Sequence, residues 1–361
     1  MKADLISQEQ LTKYGIFTNT SFDHHEQIVF CNDEASGLKA IIGIHNTVLG
    51  PALGGTRMWN YENEFEALND VLRLSRGMTF KSAISGLNLG GGKAVIIGDA
   101  KTQKTKELML EFGKFVNSLS GKYITAEDVG METADMDLIR TVTPYVSGLS
   151  EELGGKGNPS PVTAHGVLMG MKASAKFTYG TDSLAGKTIY VQGIGNVGIA
   201  LVEKLAKEGA NVFISDINRE RLEKVRDTYN VKIYEGNNLY AEEMDIYAPC
   251  ALGATINDDT IPQLKAKIIA GSANNQLKNE PIHGKMLKEK GIIYAPDFLI
   301  NAGGLINVYA EINKFTDEDV KEKTENIYNT TLEILTKAEK QGMTTYQAAH
   351  DIAQARIDAK K

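Results

Sequence analysis

The chain has 361 residues, 42% of them hydrophobic and 24% charged, with a net charge of -7. That length suits two globular domains, and the composition excludes disordered and fibrous classes. Acidic and basic residues are interspersed, so there is no basic stripe for nucleic acid or anionic lipid.

Met1 to Tyr14 is polar and lacks an apolar signal core, and no run approaches 18 uninterrupted apolar residues, so a cytoplasmic protein is expected. Cys31 and Cys250 lie far apart beside apolar residues, which suits reduced buried thiols. Six scattered histidines, only His24 and His25 adjacent, offer no zinc spacing; no metal is expected. No Gly-x-Ser-x-Gly elbow supports a serine hydrolase.

In the first half, strand-like runs at Gly37 to Ile44 and Ala94 to Ile97 alternate with helical patterns. From Glu64 to Met78, Phe65, Leu68, Leu72 and Met78 recur near helical spacing, with Glu66, Asp70 and Arg73 on other faces. Lys81 follows. Gly90, Gly91 and Gly92 then precede Lys93 ahead of the strand and mark the close approach of another group to bare main chain, the alternative being a glycine turn with a solvated lysine at its end. A phosphate-binding P-loop is excluded, because Leu87 and Ala94 stand where Gly and Ser or Thr are required. Two ammonium groups converging on one pocket disfavour each other's charged form, which makes Lys81 and Lys93 candidates for binding and proton transfer. In Tyr123 to Gly130 a continuing strand puts Ala126 and Asp128 on one face and Glu127 on the other.

Gly148 to Pro161 is the strongest loop signal, and the domain boundary is placed there: 1–150 as the substrate-binding and catalytic domain, 151–329 as the dinucleotide-binding domain. A helix near Val162 to Phe177 leads to the strand Thr188 to Gln192, which runs into Gly193-Ile194-Gly195-Asn196-Val197-Gly198. By chance alone G-x-G-x-x-G would occur roughly 0.3 times in this chain. Its context gives it weight. A helix with Ala200, Leu201 and Leu205 follows, Gly209 can end it, and the strand Val212 to Ser215 finishes at Asp216. In such a βαβ unit the glycines admit a pyrophosphate at a helix N-terminus, and the acid accepts from ribose hydroxyls, favouring NAD over NADP. Arg219 and Arg221 could instead meet a 2′-phosphate. Asp245 to Ala248, Ile268 to Ala270 and Ile292 to Ala295 extend a parallel sheet, and Asp317 to Lys361 reads as helices. The fold class expected is α/β, with two domains separated by a cleft, the second a doubly wound Rossmann-type domain.

Several long motifs carry a resemblance over nearly the whole chain: Gly50 to Met58, Gly86 to Lys93, Thr125 to Gly130, Asn158 to Thr163, Ala248 to Thr255 and Ala273 to Leu277. The chain resembles the glutamate, leucine, phenylalanine and valine dehydrogenase family. The resemblance implies reversible NAD-dependent oxidative deamination of an L-amino acid to its 2-oxo acid and ammonia. It implies that Lys81 pairs with the substrate α-carboxylate, Lys93 is the general base and Asp128 transfers protons, the glycines leaving room for the substrate's polar end. Gly54 and Asn275 would lie near substrate, and Gly193, Gly195, Asn196, Val197, Gly198, Asp216, Thr163 and Asn274 near the cofactor. Glutamate-specific relatives carry a lysine where Leu53 stands. Leu53, Ala126, Leu305 and Val308 would form an apolar wall, leaning to leucine, valine or isoleucine, although Leu305 replaces a common valine and could shorten the pocket. A homo-oligomer is implied, usually an octamer, with 330–361 packing back on the first domain. A non-catalytic NAD-binding regulator would need neither Lys93 nor Asp128.

Overall fold

The computed structural model describes residues 16–361; Met1 to Tyr14, read above for targeting, lies outside the described residues. The chain divides into one unit of residues 1–157 with 356–361 and a second of 158–355. The division falls inside the Gly148 to Pro161 loop. Of the tail 330–361, only the last six residues group with the first unit. Residues before them group with the second because the helix Ile327–Gln341 packs on the helix Ser160–Tyr179.

In the first unit, β1 (Gln27–Asp33), β2 (Leu38–Asn46), β3 (Ala52–Trp59), α1 (Glu64–Ile84), β4 (Gly90–Ile97), α2 (Lys106–Ser118), β5 (Tyr123–Glu127) and α3 (Thr133–Arg140) follow in order. The sheet runs β1-β2-β4-β3-β5, antiparallel from β1 to β4 and parallel from β4 to β5. Both faces are covered. Leu108, Met109, Phe112 and Val116 of α2 bury Ile42, Ala52, Met58, Ile96 and Tyr123, while Leu68, Val71 and Leu72 of α1 bury Ile41 and Val95. Asn63 caps α1 by accepting from the amides of Phe65 and Glu66, and Gly86, in the left-handed region at φ +71, turns the chain beyond its end. α1 thus outlasts the apolar pattern that ends at Met78 and includes Lys81 in its last turn.

The glycine run is not a turn. Gly90, Gly91 and Gly92 are the first residues of β4 and are buried. Their neighbours on the main chain are protein groups: an ideal Cβ at Gly90 would lie 2.0 Å from the Asn46 carbonyl oxygen, at Gly91 2.1 Å from the Thr79 amide nitrogen, and at Gly92 2.7 Å from the Tyr123 ring. The run therefore seats α1 and Tyr123 against the sheet.

The second unit begins with α4 (Ser160–Tyr179) and continues β6 (Thr188–Gln192), α5 (Asn196–Lys207), β7 (Asn211–Ser215), α6 (Arg219–Tyr229), β8 (Lys232–Ile233), β9 (Ile246–Pro249), β10 (Ile268–Ile269), α7 (Glu280–Glu289), β11 (Ile293–Tyr294), α8 (Asp297–Ile300) and α9 (Gly303–Asn313). α10 (Asp317–Glu325), α11 (Ile327–Gln341) and α12 (Thr345–Asp358) complete the chain. Its six strands are all parallel in the order β11-β10-β9-β6-β7-β8. This is the doubly wound order of a Rossmann domain, whose strand sequence reverses between β6 and β9. Among the described residues no helix is long and apolar enough to cross a membrane.

Candidate active site and dinucleotide site

Side-chain alternation fixes what faces α1 from the sheet. Gly43 of β2 pairs with Lys93, the β3–β4 register sets Gly55 beside Lys93, and Gly55 pairs with Ala126. One row therefore reads Gly43, Lys93, Gly55, Ala126, with the lysine between two residues that have no side chain. Asp128, two residues past Ala126, comes to the same face, whereas Glu127 turns away to accept a hydrogen bond from Thr133 Oγ1 at 2.5 Å.

Lys93 is 6% exposed and its ammonium is hydrogen-bonded to Asp128 Oδ2. The same oxygen accepts from Arg57 Nε at 3.2 Å. Arg57 Nη1 donates to Asp70 Oδ2 at 2.9 Å, and Asp70, 7% exposed, also accepts from Tyr61 at 2.8 Å and Arg73 at 2.5 Å. Burial pushes the Lys93 amine down from its ordinary value, Asp128 pulls it back part of the way, and Arg57 adds to the fall. For Asp128, burial favours the neutral acid, but Lys93 and Arg57 outweigh it and hold the carboxyl below the usual range. Arg57 is a like charge that weighs on Lys93 and that the sequence alone did not point to. A lysine whose amine is pushed below its ordinary value beside an ionised carboxylate can take up and release protons.

The other expected residues of this unit have definite places. Lys81 is half-buried on α1. Leu53 is buried, 1% exposed, two residues before Gly55 on the same strand, and Ala126 is buried in β5. Gly54 is a backbone contact: a Cβ there would lie 1.7 Å from the Gly92 carbonyl oxygen, which packing between β3 and β4 forbids. Gly55 has a similar role toward β5, where a Cβ would lie 2.9 Å from that of Asp128.

In the second unit the fingerprint follows β6. Gly193 has φ +102, and a Cβ on it would strike Ala251 at 2.6 Å; a Cβ on Gly198 would lie 2.2 Å from the Gly193 carbonyl oxygen. Around Gly195 there is open space, and α5 begins at Asn196 and Val197 with its amides unspent by a side-chain cap. A close backbone turn, room at its second glycine and a helix N-terminus fit a dinucleotide pyrophosphate. Asp216 Oδ2 accepts from the Ile194 amide at 2.6 Å and Oδ1 from the Asn218 amide at 2.8 Å, so the carboxylate is tied to the glycine turn with lone pairs left for hydroxyl donors. Ile217 beside it is fully exposed, an apolar surface the sequence reading passed over. Asn274 accepts from Asn301 at 2.7 Å, and Asn275 is left-handed at φ +51, its carbonyl accepting from the Ala254 amide at 2.7 Å. Thr163, in the first turn of α4, donates back to the Pro159 carbonyl at 3.1 Å, and Gly303 packs on its main chain. Leu305 and Val308 lie on α9, three apart as expected. Cys31 is buried, its thiol pushed up to about 12, and neither cysteine is in a disulfide. Among the described residues no group of three or more potential ligands could hold a metal ion.

Arg57, Asp70 and Tyr61 had no assigned role from sequence. The available signal was Arg57 within Gly50 to Met58 and a carboxylate next to Val71 and Leu72, three residues before Arg73.

Comparison with known proteins identifies the family. The family model described as Glu/Leu/Phe/Val dehydrogenase, dimerisation domain, matches residues 25–145, and that described as Glutamate/Leucine/Phenylalanine/Valine dehydrogenase matches 154–218 and 214–361. The chain belongs to this dehydrogenase family. Leucine dehydrogenase from Bacillus subtilis is 55% identical over 92% of each chain, and phenylalanine dehydrogenase from Lysinibacillus sphaericus 47% identical over 94% of this chain and 90% of its own. The crystal structure of L-tryptophan dehydrogenase from Nostoc punctiforme superposes with a TM-score of 0.85 at 44% identity, over 93% of this chain and 97% of that one. The protein is thus an amino-acid dehydrogenase, an oxidoreductase that depends on a nicotinamide dinucleotide.

Proposed function

We propose that this family member catalyses reversible NAD-dependent oxidative deamination of a branched-chain L-amino acid, leucine foremost with valine and isoleucine, to the 2-oxo acid and ammonia. The observation that carries this reading is the buried Lys93 paired with Asp128. A bound nicotinamide would supply the acceptor for a hydride from the substrate α-carbon, which leaves the substrate as an imine. Lys93, in its neutral form, takes a proton from water as the water oxygen bonds to the imine carbon. Asp128 takes that proton from Lys93, its hydrogen-bond partner, and passes it to the nitrogen, so that the carbon–nitrogen bond breaks, ammonia leaves and Lys93 is neutral again. Lys93 then takes the hydroxyl proton as the carbonyl forms, and Lys81 holds the α-carboxylate throughout.

Leu53 supports an apolar substrate, since a buried leucine offers nothing to a distal carboxylate. The resemblance extends this wall from Ala126 to Leu305 and Val308. Asp216 supports NAD: Arg219 is engaged with Glu223 and Glu235 and Arg221 with the Ile194 carbonyl, while a 2′-phosphate would meet the Asp216 carboxylate. In this reading Gly193, Gly195, Asn196, Val197 and Gly198 hold the pyrophosphate, and Thr163, Asn274 and Asn275 complete the cofactor and substrate contacts. The matched dimerisation domain supports self-association, with an octamer the form implied by resemblance.

Following reduced cofactor with leucine, valine, isoleucine, phenylalanine and glutamate, each with NAD and NADP, tests the reading. Branched-chain substrates with NAD should lead. A glutamate preference would overturn the role of Leu53, and turnover surviving in Lys93→Ala would overturn the base.

A further inference from the structure

Arg57 has no part in the chemistry assigned above, yet it links the reacting pair to helix α1. Its Nε shares Asp128 Oδ2 with Lys93, and its Nη1 is fastened to Asp70. Asp70 is buried and held in turn by the Tyr61 hydroxyl and Arg73. A planar guanidinium gripped at two of its nitrogens cannot rotate away from either carboxylate, which a flexible ammonium could do.

We propose that Arg57 is a positioning residue, which aims the Asp128 carboxylate and divides its hydrogen-bonding and charge between two cations so that Lys93 does not hold it alone. The proposal rests on the base assignment for Lys93. The charged groups that bear most on Lys93 are Asp128 after β5, Arg57 on β3, and Asp70 on α1, with Tyr61 and Arg73 reaching it through Asp70; α1 also carries the Lys81 ammonium. If Arg57 is neutralised, Asp128 loses one of the two cations hydrogen-bonded to it, and the protonated form of Lys93 is stabilised. If Asp70 is neutralised, a negative charge that favours the protonated amine is lost while Arg57 stays charged. The two substitutions act on Lys93 in opposite directions. Generic damage to packing would not do that.

The experiment is the pH dependence of kcat/KM for leucine deamination with NAD in wild type, Arg57→Gln, Arg57→Lys, Asp70→Asn and Lys93→Ala, each checked for folding by circular dichroism. In Arg57→Gln, kcat/KM is expected to fall about 10²-fold, the scale of an ångström-sized misplacement of a reacting group, with its acid limb moved to higher pH. Arg57→Lys should return the limb toward wild type without restoring the full rate, and Asp70→Asn should move it to lower pH. An unmoved limb in folded Arg57→Gln, or shifts of the same sign in Arg57→Gln and Asp70→Asn, would overturn the proposal. If Arg57→Gln does not fold, the limbs of Asp70→Asn and Arg57→Lys decide it: an unmoved limb in Asp70→Asn overturns it, and a downward shift there with a near-normal limb in Arg57→Lys supports it. Lys93→Ala separates the two levels. Turnover surviving there defeats the base assignment, whereas a dead Lys93→Ala with an unmoved limb in Arg57→Gln defeats only the role of Arg57.

Discussion

Gly91→Ala is a direct test of why β4 opens with glycine. A Cβ at Gly91 would lie 2.1 Å from the Thr79 amide nitrogen, 2.2 Å from Thr79 Oγ1 and 2.5 Å from the Ser75 carbonyl oxygen. Two of these atoms are main chain of α1, so no rotamer change clears them. Ordinary contact requires about 3.5 Å, so α1 must lift from the sheet by more than about 1 Å, and a gap of that size forfeits at least a quarter to a half of the dispersion attraction across it. The cost belongs at or above the upper end of overpacking, about 3 kcal/mol. For a domain of this size each kcal/mol is worth roughly 2–4 °C, so the melting temperature should fall by roughly 6–12 °C. Because α1 also carries Lys81, the KM for the amino acid should rise as well. Gly77→Ala supplies the contrast. It lies in the same helix with nothing near its Cβ, and should stabilise by up to about 1 kcal/mol through helix propensity. Scanning calorimetry and steady-state kinetics on the two variants decide the matter: Gly91→Ala melting within about 2 °C of wild type, with an unchanged KM, would refute the packing account.

Two further outcomes follow from buried groups of the first unit. His45, against Thr79 and edge-on to His25, is pushed down to about 4 by burial and by His25, against 6.5 when unfolded. Its contribution is therefore fully present above pH 6.5 and is lost as the pH falls toward 4, amounting to roughly 2 kcal/mol by pH 5. Urea unfolding at pH 7.5 and pH 5 should show this loss in wild type and a smaller one in His45→Gln; equal losses would remove His45 from the account. Arg356 donates to the carbonyls of Ala83 at 2.9 Å and Leu87 at 2.8 Å and to Asn88 Oδ1 at 3.0 Å, tying the end of α12 to the C-terminus of α1. Arg356→Ala should cost about 2 kcal/mol in urea unfolding, and Arg356→Lys should recover only part because an ammonium cannot span the set.

What could be read in advance follows from how local each signal is. The βαβ unit from Thr188 to Asp216 was legible nearly to the residue, since an apolar strand, a glycine turn, an amphipathic helix and a second strand lie within about thirty consecutive positions. The face shared by Ala126 and Asp128 was legible too, because alternation needs only the strand. β3 and the start of β4 were not, since Gly54, Gly55 and Gly90 to Gly92 erase the period-two pattern that marks a strand. Asp70 was read as one of the polar positions of an amphipathic helix. Its burial depends on Tyr61 and Arg57, which reach it from outside the helix, and no window of sequence contains that contact. His25 and His45 escaped for the same reason, being twenty residues apart and brought together by two antiparallel strands.

The glycines around Lys93 act through protein packing, and this changes how the lysine is tuned. Gly91 and Gly43 bring α1 onto the sheet, where a Cβ on Gly43 would already crowd Ser75 and Val71 at 3.2 and 3.3 Å. Gly55 brings in the chain at Asp128. Each close approach removes water from the lysine or brings its carboxylate nearer, so the missing side chains produce both the burial that lowers the amine and the partner that limits the fall. An alanine at Gly55 would have to displace Asp128, with its Cβ only 2.9 Å away. Gly55→Ala should therefore reduce kcat far more than it changes the binding of NAD. A loss of NAD binding equal to the loss of kcat, measured by fluorescence titration, would show instead that the damage is general.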